Sequence, residues 1–224
     1  MNSLAISLPM TTRSFYNETA KSQNRAKMDQ IGKQYYNEIK QAEKLCNVPG
    51  AILLAVIFAE SAGNSYAKSS AGAVGLMQLK PQTANDVIFL EHKNARLSQA
   101  ELMILNKFLG ARINGPLKQK YLSHKIKENQ FTGNVVTEND LKKPELNILL
   151  GAMYLGILID QSTENQSIRM DKVLIRYNQG YFYKIPQGSP ELVLDFTKKR
   201  SPEAYNYALK MLGKNGLLET QHIA

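Results

Sequence analysis

Ala51-Ile52-Leu53-Leu54-Ala55-Val56-Ile57-Phe58-Ala59-Glu60-Ser61 is the stretch that decides the fold. Nine apolar residues in succession leave no polar stripe, so the segment must be covered on every side. Pro49-Gly50 in front of it and the Ala and Leu within it favour a helix over a buried strand. The run ends abruptly in an acid. A carboxyl held against apolar surface has its charged form disfavoured, and its pKa rises. That is what a general acid at neutral pH needs. A glutamate closing a core helix can equally be a cap or half of a salt bridge, so Glu60 alone marks a place and not yet a reaction.

Upstream, Ile31, Tyr35, Ile39, Ala42 and Leu45 recur at spacings of three and four, the period of a helix that begins near Asp29. Downstream, Ala62 to Gly75 is rich in Gly, Ser and Ala and reads as a loop or small hairpin. Another helix starts near Pro81. Pro144 leads into a second apolar helix, Ile148 to Ile159, Gln179-Gly180 closes a third pattern, and Glu203 to Leu212 form a short C-terminal helix. Strand signals are weak and there is no internal repeat, so the fold class is mainly α. Residues 1–26, rich in Ser, Thr and Asn, read as a flexible N-terminal lead-in; 27–224 read as one domain.

The composition narrows the function classes. With 43% hydrophobic and 21% charged residues, the 224-residue chain can bury a real core and is not a disordered one. Its longest uncharged apolar runs are nine and twelve residues, short of the roughly 20 that span a bilayer. Cys46 is the single cysteine, so no internal disulfide forms, and it reads as a small buried hydrophobe. His92, His124 and His222 are far apart, which leaves no metal site, and no cofactor is expected. A net charge of +9 draws the chain toward polyanions: nucleic acid, anionic lipid or bacterial cell wall. Ten of the cations lie in residues 91–143 against five acids. That basic stretch lacks the interleaved aromatics of a single-strand binder, so nucleic acid is not the expected partner.

Several short motifs surround Glu60. Ser61 follows it directly, then Ser69, Gly75-Leu76-Met77-Gln78, Pro81 and Thr83-Ala84. Further on stand Asn147-Ile148 with Gly151 and Tyr154-Leu155, then Tyr177-Asn178-Gln179-Gly180, then Glu203 with Asn206-Tyr207. In this order the sequence resembles the Slt-type, lysozyme-like lytic transglycosylases that cleave peptidoglycan. The resemblance covers about residues 35–84 and 144–212. Lys80 and Arg176 depart from the family pattern, and the 91–143 stretch is longer than the usual connection, a basic helical insertion in a lysozyme-like domain.

The resemblance implies the chemistry. Most glycosidases use two carboxylates; this family implies one. Glu60 would protonate the bridging oxygen of the MurNAc–GlcNAc bond. It would then take the proton from the muramic C6 hydroxyl, leaving a 1,6-anhydromuramic end. Tyr177 would assist Glu60 in catalysis. Ser69, Met77, Gln78, Asn178 and Glu203 would contact the glycan strand, while Ser61, Gly75, Thr83 and Asn147 would be structural near the site. Two rival readings stay open: a hydrolytic muramidase on the same fold, and a non-catalytic module binding cell wall or a partner. The N-terminal residues do not read as a secretory signal. The expectation is therefore delivery to the cell wall by a phage virion, by lysis as an endolysin, or by a specialised secretion apparatus, with 91–143 as a docking surface for such a partner.

Overall fold

In the computed structural model the apolar run is a helix from Gly50 to Ser61. The structure describes residues 10–113 and 135–221. In chain order the helices are α1 (Glu18–Gln34), α2 (Tyr36–Cys46), α3 (Gly50–Ser61), α4 (Pro81–Lys93), α5 (Gln99–Leu109), α6 (Glu138–Leu141) and α7 (Pro144–Gln161). A hairpin, β1 (Thr163–Glu164) and β2 (Ser167–Ile168), precedes α8 (Met170–Gln179), α9 (Pro190–Arg200), α10 (Pro202–Leu212) and α11 (Leu217–Thr220). The protein is thus mainly α. Among the described residues no helix is long and apolar enough to cross a membrane.

The chain forms two compact units. The first holds Met1–Gln34, Leu54–Ala59 and Leu155–Ala224; the second holds Tyr35–Leu53 and Glu60–Tyr154. The two apolar helices α3 and α7 each supply residues to both.

In the first unit α8 and α9 pack on α10 around Ile175, Val193, Leu194, Ala204 and Ala208, while α11 packs on α1 and α10. Burying a side chain such as Leu194 contributes about 1.5–3 kcal/mol. The helix α1 begins at Glu18, inside the stretch expected to be a lead-in. Asn17 Oδ1 accepts from Ala20 N at 2.8 Å and caps it, and Met28 and Ile31 bury its apolar side. Residues 10–14 are also tied down: Met10 N donates to Leu212 O and Lys214 N to Arg13 O, and Arg13 pairs with Glu191 and Asp195. Residues 1–9 of that expectation lie outside the described residues.

In the second unit α2 buries Ile39 and Ala42, and α4 buries Ala84, Val87, Ile88 and Phe89. Ser98 and Glu101 form a capping box that starts α5. The basic stretch returns through Asn85, whose Oδ1 accepts from Val135 N and Val136 N at 3.0 Å each. Arg112 grips Asp140 with both Nη atoms, at 2.7 and 3.0 Å. Lys107 pairs with Glu145, and Lys143 with Asp140. These cations of the expected docking surface are therefore matched by acids within the protein; residues 114–134 lie outside the described part.

Candidate active site

Glu60 stands in the last turn of α3, half-buried. The chain then reverses through two left-handed residues, Ala62 (φ 50°) and Gly63 (φ 84°). Backbone of that kind is costly for alanine and persists only when its surroundings fix it. Three bonds fix it here. Ser61 Oγ donates to Leu76 O at 2.8 Å and accepts from Gly63 N at 3.2 Å. Tyr35 Oη, from a ring only 6% exposed, donates to Gly63 O at 3.0 Å.

The loop beyond is bolted in the same way. Ser69 N donates to Ala73 O, Ala73 N donates to Ser69 Oγ at 3.0 Å, and Val74 and Leu79 exchange backbone bonds. Gln78, at φ 45°, gives both amide hydrogens to the loop, to Ala67 O at 3.1 Å and Gly75 O at 3.0 Å. Toward any ligand it can offer only its Oε1 acceptor.

Asn147, fully buried on α7, holds the centre of this loop. Its Oδ1 accepts from Met77 N at 2.8 Å, and its Nδ2 donates to Val74 O at 3.0 Å and Leu141 O at 2.9 Å. Gly75 has φ 84°, and a Cβ there would stand 2.1 Å from Leu141 O and 2.4 Å from Asn147 Nδ2. No side chain fits. Met77 is likewise fully buried and lies against Gly151, so its side chain packs inside and not on the surface. Thr83 is half-buried in the first turn of α4.

The remaining expected residues belong to the first unit. Tyr177, 8% exposed, and Asn178 sit in the last turn of α8. Asn178 Oδ1 accepts from Gln179 Nε2 at 2.7 Å. Arg176, one residue earlier, donates to Ser162 Oγ at 2.7 Å, and burial lowers its pKa. Glu203 is exposed in the first turn of α10. From the same helix Lys210 Nζ reaches Ala59 O at 3.5 Å, where a cation suits the carbonyl end of α3. Ser61, Ser69, Gly75, Met77, Gln78 and Asn147 thus lie in one unit, on or against the bonded loop after Glu60, and Tyr177, Asn178 and Glu203 lie on neighbouring helices of the other.

Tyr35 and Asn85 were not singled out in the sequence. Tyr35 is masked as one more apolar position of a helical period, although it stands where α1 gives way to α2. Asn85 is a polar residue on the buried side of α4, beside Ala84 and Val87, and that mismatch is its signal. Among the described residues no group of three or more His, Cys, Asp or Glu could hold a metal ion. Cys46 is half-buried near Glu101 and Glu91, and burial, helped by those acids, pushes its thiol well above the usual range.

A buried apolar helix that closes on Glu-Ser, with a small-residue loop bolted to a second buried helix, is consistent with a lysozyme-like helical domain. Residues 37–104 match the Transglycosylase SLT domain. The match runs from the start of α2 into α5 and includes Glu60 and the loop after it. Two relatives named membrane-bound lytic murein transglycosylase E are similar to it. That of Buchnera aphidicola subsp. Acyrthosiphon pisum (strain APS) is 36% identical over 95 residues, 41% of this chain and 40% of the relative. That of Buchnera aphidicola subsp. Baizongia pistaciae (strain Bp) is 26% identical over 149 residues, 65% of this chain and 52% of the relative. The chain spans about half the length of these relatives or less.

Proposed function

We propose that the protein is a peptidoglycan lytic transglycosylase with Glu60 as its single acid and base. The observation that carries this reading is the placement of Glu60. It ends a helix apolar on all sides, its following turn is held by Ser61 and Tyr35, and it lies within the residues that match the SLT domain.

In this reading the Glu60 carboxylic acid gives its proton to the oxygen bridging MurNAc C1 and GlcNAc C4, and the C1–O bond breaks. The GlcNAc leaves with a free 4-hydroxyl. The Glu60 carboxylate then removes the proton of the muramic 6-hydroxyl as O6 bonds to C1. The product is a 1,6-anhydro ring, Glu60 regains its proton, and no water is consumed. A partly desolvated carboxyl suits both halves of the cycle. Gln78 would accept a hydrogen bond from the sugar through Oε1. The relatives' names support the substrate class: both are called murein transglycosylases.

The test is mass spectrometry of the soluble products of purified peptidoglycan, with Glu60→Gln beside the parent. Anhydromuropeptides that vanish in the variant are the expected result. Reducing-end products would move the protein to the muramidases, and the same products from the variant would remove Glu60 from the reaction.

A further inference from the structure

The turn that follows Tyr177-Asn178 carries an arrangement that folding alone does not ask for. Gly180 ends α8 at φ 101° and ψ 156°, a region only glycine occupies without strain. Its N–H donates to Arg176 O at 2.7 Å, and its carbonyl accepts from Tyr183 N at 3.1 Å. This makes a tight turn with Tyr181 and Phe182 at its tip. Such tip positions normally hold Gly, Asn, Asp or Ser. Here they hold two aromatic rings, packed edge to face with centroids 4.9 Å apart, and Phe182 is 65% exposed.

The turn is stiff. Tyr183 and Ile185 pack inward on the α8–α10 core. Gln161 Nε2 donates to Tyr181 O at 3.4 Å. Farther along, Arg169 Nη1 donates to Gly188 O at 2.7 Å while its guanidinium also pairs with buried Asp171. Lys172, itself buried, reaches Gln187 Oε1 at 3.0 Å and Glu164 at 2.6 Å. Alternation of inward and outward residues then aims Phe182 and exposed Lys184 at solvent. Either position could be small and polar at no cost to the core.

We propose that the Tyr181–Phe182 turn is a sugar-stacking platform, a subsite that binds pyranose rings of the glycan strand away from the scissile bond. A rigid aromatic face brings large amphipathic contact area at little entropic cost, which suits the apolar C–H face of a pyranose. Lys184, two residues on, complements the carboxylates of the stem peptides and, on strands stripped of them, those of the lactyl groups. The turn begins three residues after Tyr177 in the chain, so the platform continues the candidate substrate-binding helix. The inference rests on the proposed glycan substrate.

The test measures binding of peptide-stripped glycan strands, by fluorescence titration, in a Glu60→Gln parent that does not turn them over. Phe182→Ala weakens binding about tenfold, the size of effect expected of a central aromatic anchor. Phe182→Trp keeps it within about twofold, and the exposed control Leu192→Ala leaves it unchanged. Glycan binding by Phe182→Ala equal to the parent's overturns the platform alone. So does a Phe182→Trp loss as large as that of Phe182→Ala, which would mean the ring only shapes the turn. Loss of affinity for phosphatidylglycerol vesicles with glycan binding intact would assign the turn to a lipid surface instead. A parent that binds no glycan overturns the substrate reading, and the platform with it.

Discussion

Replacing Asn147 by Ala removes the bolt between α7 and the loop after Glu60, and its cost can be worked from the structure. Three bonds vanish, to Met77 N, Val74 O and Leu141 O. Val74 O keeps a partner in Leu79 N. Met77 N–H and Leu141 C=O lose theirs in a fully buried setting. An unsatisfied buried group costs about 1–3 kcal/mol, so the pair costs about 4 kcal/mol. For a domain of this size each kcal/mol lowers Tm by about 2–4 °C, which makes the expected loss about 8–16 °C by far-UV circular dichroism. Asn147→Asp refines the test. Its carboxyl can still accept from Met77 N–H, but when ionised it faces two carbonyl oxygens with no hydrogen to give. Burial among acceptors raises its folded pKa above the unfolded value near 4. A raised folded pKa gives a contribution fully present below the unfolded pKa and lost as pH rises through the folded one. The Asn147→Asp deficit should therefore grow from pH 4 to pH 7. A Tm loss under about 3 °C for Asn147→Ala, or an Asp deficit that grows on acidification, would refute the reasoning.

Two further outcomes follow from other bonds. Tyr35→Phe deletes one hydroxyl and should cost about 1 kcal/mol, but it frees the turn beside Glu60 and should lower turnover about tenfold; steady-state rates on peptidoglycan that match the parent's would show the turn is held without it. Burial alone would raise the pKa of Asp140, yet the Arg112 fork and the Thr137 hydroxyl and N–H outweigh it and hold the carboxyl well below the usual range. A depressed folded pKa gives stability present at neutral pH and lost as pH falls. The Tm gap between parent and Arg112→Met should therefore be widest at pH 7 and narrow steadily below about pH 4, and a gap that stays flat to pH 2.5 would contradict the pairing.

Much of the fold was legible because α3 and α7 are apolar on every side, and only a helix surrounded by protein tolerates that. Pro81, Pro144 and Gly180 marked ends because their backbone preferences act locally. The break at Tyr35 and the start at Glu18 were not legible. The first interrupts an unbroken apolar period, and the second depends on Asn17 acting as a cap rather than as one more polar residue. The same divide runs through the site. The position of Glu60 and the motif spacings could be read directly. What could not be read was that Asn147 binds a loop some 70 residues earlier in the chain, or that the amide hydrogens of Gln78 are already taken. Periodicity reports which face is buried and carries no record of distant polar partners.

Gly151 and Met77 carry a consequence for how this sequence can change. A Cβ at position 151 would stand 2.3 Å from Met77 Sδ and 3.0 Å from Met77 Cβ, so any side chain there requires the buried Met77 to shift. The two positions constrain each other. A larger residue at 151 needs a shorter one at 77 to arrive first, and that intermediate leaves a void costing on the order of 2–5 kcal/mol. The two sites are thus coupled, and a library randomising both should recover compensating pairs that a single-site scan would score as unfavourable.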